Sequence, residues 1–491
     1  MLPKKSEKGQ ALVLIAFAAV GLFAFTALSV DGGRVFSDRR HAQNAADTAA
    51  LAAALARVRA QAPSDPDAAA VTSGEARALT NGYPNDPAST VEVKICDDPS
   101  LDLTKDCQGL PANAVLSDYV QVKITSYVRT TFARIIGWQQ VKNVVTAVAK
   151  AQLGGLGPLF DGSAMVALSP TGSPTIRNQG NINLDIINSG IFDNSTDGCA
   201  FTIGGTSNVN VDTGYTIATN GTANPPCLNG IPQGNINDPS LHQSGSPIPY
   251  PPVFNPPIPV PNINCSGDGR VTPDAAPNHY TVHPGNFDSS NPLPNLNNGY
   301  WTFVTGSYCI DGGISIGGNA LVTANYVDIR IDSGEFKVTS NLNCNSMLVH
   351  INGGSGMTVN GNSHVVCNNA TFFASTGSVS LEGTGTQNIF TAPTDGAYPF
   401  EAYPEYKNLL VYMPYGNTDT LKITGNSGTE MTGSIIGVSA PVTLTGNNDF
   451  VLNSSITGFT IDIAGAATTT INYIPDDQIT QLDPSSIGLT K

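Results

Sequence analysis

A short phrase returns along the second half of this chain at nearly constant intervals. Apolar and polar residues alternate, then run into Gly or another small residue. The copies are ISIGGNA from Ile314, FKVTSNL from Phe336, MTVNGNS from Met357, VSLEGTG from Val379, LKITGNS from Leu421, VTLTGNN from Val442 and IDIAGAA from Ile461. Successive starts lie 22, 21, 22, 42, 21 and 19 residues apart, so the longest interval reads as two units, one of them disguised. FTIGGTS from Phe201 reads as an earlier copy and INLDII from Ile182 as another. Strict alternation marks a half-buried strand. A unit this short cannot bury its own apolar face, so a fixed period means stacking against neighbours. Leucine-rich repeats share the period range but need an LxxLxL frame, which is absent. The expected architecture is a parallel β-helix with coils of about 21 residues. Ile423 and Leu444 would point inward. Gly425 and Gly446 would turn corners at positive φ, and Asn426 and Asn447 would hydrogen-bond along the axis. At ~4.8 Å per stacked strand, roughly eight to twelve coils give about 40–55 Å.

Two stretches interrupt the period. Residues 221–300 include PPCLNGIPQG and SPIPYPPVFNPPIPVPN, whose proline density opposes regular pairing and favours extended segments. Residues 391–416 gather Tyr398, Tyr403, Tyr406, Tyr412 and Tyr415. These either project as an aromatic contact surface or pack on the scaffold.

Composition fits a turn-rich β protein: 12% charged residues, 50 Gly and 40% hydrophobic. Residues 1–160 carry 16 Lys+Arg against 14 Asp+Glu, whereas residues 161–491 carry 7 against 24. An acidic surface with so few cations excludes nucleic acid as a partner of that region. The eight cysteines are Cys96, Cys107, Cys199, Cys227, Cys265, Cys309, Cys344 and Cys367. No CxxC pair is present, and the even count in an exported region points to disulfides. Neighbour pairing is the simplest connectivity, although spacing alone leaves others open.

Export is implied by the amino terminus. Residues 11–30, from Ala11 to Val30, contain no charge, about the length that crosses a bilayer as a helix. Lys4, Lys5 and Lys8 precede the run and Asp31 follows it, which predicts a single-pass span with its N-terminus inside. The run is long for a cleaved signal peptide and continues into an Ala/Arg/Leu-rich helix to about Ala60. Ala46, Ala49, Ala50 and Ala53 share one face of it. That small-residue stripe fits either self-association or packing on the protein's own domain. Beyond it, TVEVKI (90–95) and YVQVKITSYV (119–128) alternate as strands, predicting a small antiparallel sheet packed on a helix, with Cys96 and Cys107 closing a loop.

The N-terminal block resembles TadE/TadG-like Flp pilus-assembly proteins. The residues that carry the resemblance are Gly9-Gln10-Ala11, Val30-Asp31-Gly32-Gly33-Arg34 and Gln43-Asn44-Ala45-Ala46-Asp47. Thr130-Thr131-Phe132 with Gly137 extends it. A looser likeness covers Gly306-Ser307-Tyr308-Cys309 with Gly312-Gly313, and Ala392-Pro393-Thr394 with Gly396. The resemblance implies pilus-assembly or envelope components as partners, and a pilin-like fold for the small domain. Processed pilins carry Glu at the fifth position after the cleavage Gly. Counting from Gly9, that position is Leu14, so a retained anchor is expected.

Many β-helices act on polysaccharides, which makes an enzyme the rival reading. Asn417-Thr418-Asp419 matches one fragment of the hydrolase pattern, but no Gly-His-Gly or Arg-Ile-Lys accompanies it. Asp328, Arg330 and Asp332 alternate in YVDIRIDS and share one strand face. They could hold Ca²⁺ through Asp328 and Asp332, or Arg330 could simply neutralise the two carboxylates. His279 and His283 have zinc spacing only on a helix, which the flanking prolines oppose. No catalytic residue, metal centre or cofactor site is assigned from the sequence.

The reading is therefore a mainly β chain. Residues 1–62 form the anchor, 63–155 a small α+β domain, 156–478 the β-helix and 479–491 a tail. It is expected to be a membrane-anchored, surface-exposed structural or adhesive protein of a Flp/Tad-type system, with surface glycans as possible ligands. The alternative is a membrane-anchored polysaccharide lyase or hydrolase.

Overall fold

The alternation in each repeated phrase becomes one strand of a coil. The computed structural model describes residues 8–60, 65–110, 114–152, 156–220, 242–244, 247–360, 363–383, 388–394, 396–426, 428–446, 449–466, 468–482 and 486–490. They fall into two units, 1–155 with 483–491, and 156–482.

In the first unit, α1 (Lys8–Arg59) carries the apolar run without a break into the Ala-rich stretch. After it, α2 (Pro66–Thr80) is capped by Asp65, whose carboxylate accepts the N–H groups of Asp67 and Ala68. Strands β1 (Ser89–Ile95), β2 (Tyr119–Arg129) and β3 (Gln140–Gln152) pair antiparallel. A fourth strand, β4 (Ser486–Leu489), joins the edge of β3. Of the segment read from sequence as a tail (479–491), Ser486–Leu489 is thus part of this sheet, while Thr480–Leu482 pairs antiparallel with Leu156–Pro158 in the second unit. Ala46, Ala49, Ala50 and Ala53 are fully buried with Val91, Val93, Val120 and Val122. Their small side chains let α1 lie close to sheet and α2; a Cβ on Gly74 would sit 3.2 Å from that of Ala53. The stripe is consumed inside its own domain, so it is not a free face for self-association.

The second unit is a parallel β-solenoid of three strand ladders. In the first ladder, Phe201, Ile176, Ile461, Val442, Leu421, Val379, Met357, Phe336 and Ile314 are successive register partners. These include the phrase starts read from sequence. Val379 pairs directly with Leu421, so the 42-residue interval is one coil with an excursion and holds no disguised turn. Ile182 precedes a strand of the second ladder, Asn183–Ile187, and is not a further copy of the phrase. Among the described residues the third ladder has twelve rungs: His242, Ile217, Ile191, Met165, Ile456, Ile435, Val411, Phe372, Val349, Ile329, Tyr308 and Gly285.

Chain order and stacking order differ. The coil that closes the solenoid sequence stacks on the coil that opens it: Ile456 pairs with Met165, Ile461 with Ile176 and Thr469 with Leu184. From this seam, residues 165–219 build coils toward one end. The chain then begins again at the opposite end, near residue 270, and coils back to the seam. Residues 270–300, read from sequence as part of a Pro-rich insertion, form strands here. Arg270–Pro273 pairs antiparallel with His279–His283, and the latter is a parallel rung on Leu296–Phe303.

Ile423 and Leu444 point inward and are fully buried. Gly425 and Gly446 are extended strand residues without positive φ. Gly425 is required for space: a Cβ there would lie 2.1 Å from the ring of Phe450. Left-handed glycines occur further along the same line, at Gly465 (φ 150) and Gly180 (φ 112). Asn426 caps its own turn by accepting from Gly428 N and Thr429 Oγ1, and Asn447 lies outside the described residues. Axial amide bonding runs between other coils, from Asn188 to Asn472 (3.3 Å) and from Asn472 to Asn453 (3.0 Å).

Candidate functional site

The outward side chains of the third ladder are the unusual part of the solenoid. Cys309, Arg330, His350, Phe373, Tyr412, Ile436, Thr457, Val166 and Phe192 are successive register partners. A solvent-facing row would be polar. This one is mostly apolar, because a strap covers it. Residues 247–265, outside any helix or strand, cross it coil after coil. Ile248 exchanges hydrogen bonds with the Asn194 side chain, both 2.8 Å. Tyr250 OH meets Ser439 Oγ at 2.9 Å, and the Phe254 ring packs edge-on to Tyr412. Tyr406 OH donates to Pro259 O (2.6 Å), Asn262 N–H donates to Tyr403 OH (2.8 Å), and Arg330 donates to Ile263 O. The Cys265–Cys309 disulfide fixes the strap's end.

The tyrosines fall on this strap and beneath it. Tyr406 and Tyr412 are buried, Tyr398 and Tyr403 half-buried, and Tyr415 is 62% exposed. Tyr403 stacks on Tyr406, which faces Phe373. The 391–416 excursion therefore packs on its scaffold, and of the five rings Tyr415, edge-on to Tyr250, is the most exposed. Desolvation pushes the Tyr412 phenol up to about 12.

The same face absorbs the proposed cation ligands. Tyr398 OH donates to Asp328 Oδ1 (2.5 Å), and Arg330 pairs with Asp332 at 3.0 Å. Burial pushes the Asp332 carboxyl up, but hydrogen bonds from Arg330 and Asn352 outweigh it, and its pKa is lowered. The two carboxylates are held by separate partners and do not converge. His350 beside them is pushed down to about 4, by burial first and the Arg330 charge second. Asn417 and Asp419 staple a turn: Asn417 Nδ2 donates to Ala374 O and Gly377 O, and Asp419 accepts from Gly377 N–H. His279 stacks on Tyr300, while His283 Nε2 meets Thr272 Oγ1 at 3.1 Å. Among the described residues, no group of three or more His, Cys, Asp or Glu is placed to hold a metal.

Disulfides join Cys96 to Cys107, Cys265 to Cys309 and Cys344 to Cys367. The last links register partners of adjacent coils inside the core. Cys199 is also disulfide-bonded, and Cys227 lies outside the described residues.

In the first unit the chemistry gathers at the end of the apolar run. Asp31 is 5% exposed and accepts three backbone N–H groups, from Thr131 (2.8 Å), Phe132 (2.9 Å) and Ala133 (2.7 Å). It thereby caps a short 3₁₀ turn, Ala133–Ile136, from a partner helix. The Ala133 N–H contributes most to lowering its pKa; burial opposes this, and the Thr131 and Phe132 N–H groups and the Arg34 charge assist. Arg34 donates to Thr131 Oγ1 (2.9 Å). The Val30-Asp31-Gly32-Gly33-Arg34 motif is thus a clasp between α1 and the β2–β3 loop.

These features define a chain whose amino-terminal helix is long and apolar enough to cross a membrane, followed by a small α+β unit and a β-solenoid. Residues 9–62 match the family model for putative Flp pilus-assembly TadE/G-like proteins. That match contains the apolar run and both Asp31 and Arg34. No curated protein matches the chain. Among solved structures, the competence-associated pilin ComZ from Thermus thermophilus is similar at 12% identity over 83% of this chain and 89% of that one. Its TM-score is 0.19, and a likeness at that level carries no argument.

Proposed function

We propose that this protein is a membrane-anchored, extracytoplasmic component of a Flp/Tad-type pilus system, with a structural or adhesive role carried by the solenoid. The observation that carries the reading is the family match over residues 9–62, which falls on the long apolar helix. Its partners would be envelope or pilus-assembly components, with surface glycans as candidate ligands of the solenoid's exposed faces. The carboxylates that a polysaccharide lyase or hydrolase would need are separately tied up at Asp328, Asp332 and Asp419, which favours a non-enzymatic role.

Deleting the gene in a piliated producing strain tests the reading. Loss of Flp-type filaments or of surface attachment, restored by the full chain and not by one lacking residues 9–62, is the expected outcome. Unchanged piliation and attachment would defeat it. Incubating the purified full chain with a polysaccharide panel tests the rival, since release of reducing or unsaturated ends would establish an enzyme.

A further inference from the structure

The clasp holds up a loop whose most exposed side chains are its largest apolar ones. Ile135 is 78% exposed and Trp138 67% exposed, and Phe36 on α1 is 65% exposed. The loop is held by hydrogen bonds: Asp31 caps it, Trp138 N–H donates to Ala133 O (3.1 Å), Thr130 Oγ1 donates to Trp138 O, and Gly137 turns it at φ 93. Such a loop has no need of exposed Ile and Trp for its own stability. Its level along α1 is fixed by Asp31, the residue immediately after the apolar run. Ala133 lines a groove of about 510 Å³ whose α1 wall includes Ala24, Ala27 and Leu28 of the apolar run. Arg39 lies at the opposite end of the groove, about 22 Å away along the helix axis from Ala24 at 1.5 Å per residue. The groove is therefore apolar at one end and cationic at the other.

The charge of the segment is equally one-sided. Residues 129–152 contain Arg129, Arg134, Lys142 and Lys150 and no Asp or Glu. Arg129, Arg134 and Lys142 are exposed, as are Arg34, Arg39 and Arg40 on α1. An aromatic ring and an aliphatic side chain beside a cationic fringe, at the end of an apolar helix, match the interfacial layer of a bilayer. There Trp sits at headgroup depth and Lys/Arg meet lipid phosphates.

We propose that the Thr131–Trp138 loop is a second membrane contact, seating Ile135 and Trp138 in the headgroup–acyl boundary of an anionic leaflet beside α1. This rests on reading α1 as a membrane span. The contact would fix the rotation and tilt of α1, which a single helix leaves free.

The chain has two tryptophans, and Trp301 is buried in the solenoid, so Trp138 reports on the loop. The full chain is reconstituted in phosphatidylcholine vesicles, with and without phosphatidylglycerol, carrying bromine near the headgroup end of the acyl chains. Expected is quenching of Trp138, stronger with phosphatidylglycerol, with loss of accessibility to aqueous iodide. The quenched component should vanish in Trp138→Phe and weaken in Arg134→Gln. Trp301→Phe checks that the remaining emission is Trp138's. Protein that resists alkaline extraction, yet shows an iodide-accessible and unquenched Trp138, would overturn the loop contact while leaving the span intact. Protein released by alkaline extraction would overturn the span, and the loop proposal with it. Equal quenching in both lipids would overturn the choice of an anionic leaflet.

Discussion

The outward rows of the first and third ladders make the clearest contrast in the molecule. Both rows belong to the same coils. The first reads Thr202, Arg177, Asp462, Thr443, Lys422, Ser380, Thr358 and Lys337 from rung to rung, and it faces solvent with ion pairs such as Lys422–Glu382 at 2.6 Å. The third is mostly apolar and lies under the strap. A solenoid face is thus written by what lies over it, and the repeat specifies only what lies inside.

That contrast should break most visibly at Phe373, which is fully buried beneath Tyr406 and Tyr412. Phe373→Ala should cost about 3–5 kcal/mol in denaturant unfolding, against less than about 0.5 kcal/mol for Thr443→Ala on the bare row. Similar losses at both positions would mean that covering the row adds nothing. Replacing Cys265 and Cys309 by Ala opens a bridge of sequence separation 44. It should remove about 2–4 kcal/mol and admit proteolysis between residues 247 and 265, while the coils stay resistant. Cleavage within the coils first would reverse this assignment.

Acid should separate the rows next. His350 titrates near 4 in the folded chain, below its unfolded value of about 6.5. The unfolded chain therefore binds more protons between those values. The contribution of neutral His350 is complete above pH 6.5 and disappears as pH falls toward 4. His350→Gln should flatten the stability profile in that window; an unaltered slope would assign it to other groups. Asp193 has the opposite sign, since burial raises it to about 6 despite hydrogen bonds from Thr175 and Ser195. Its contribution is largest in acid and declines as pH rises through 6, so Asp193→Asn should selectively raise stability at neutral pH. A gain of equal size at pH 4 would refute that. A small effect is expected of Lys422→Ala, which breaks a partly exposed pair worth no more than about 1 kcal/mol. A double-mutant cycle with Glu382→Ala measures it.

Legibility followed the same division. The apolar starts at Ile314 through Ile461 are the register itself, because alternation and period encode an inward row directly. The covered row left a different trace. Leu409–Met413 and the end of His364–Ala374 are unbroken apolar runs, buried on both faces. Such runs signal a strand with two covered sides, and the tyrosines were read apart from them. The glycine of LKITGNS was assigned to a corner when its task is to clear the Phe450 ring, a contact across coils that no local phrase contains. The clasp was hidden for a similar reason: Asp31 and Thr131 are 100 residues apart. The cation site was read from Asp328 and Asp332 sharing a strand face, whereas Tyr398 and Arg330 claim them one each.

The seam sets the order in which the chain can mature. Residues 165–219 leave the ribosome, and on our reading cross the membrane, long before the rungs that complete them. Their partners Ile456, Ile461 and Thr469 arrive 285 to 291 residues later. Until then the early coils present an open strand edge, a template for pairing with the wrong chain. A carboxy-terminal truncation would therefore strand the beginning of the domain as well as the end. Quality control of this protein has a natural checkpoint at its final coil.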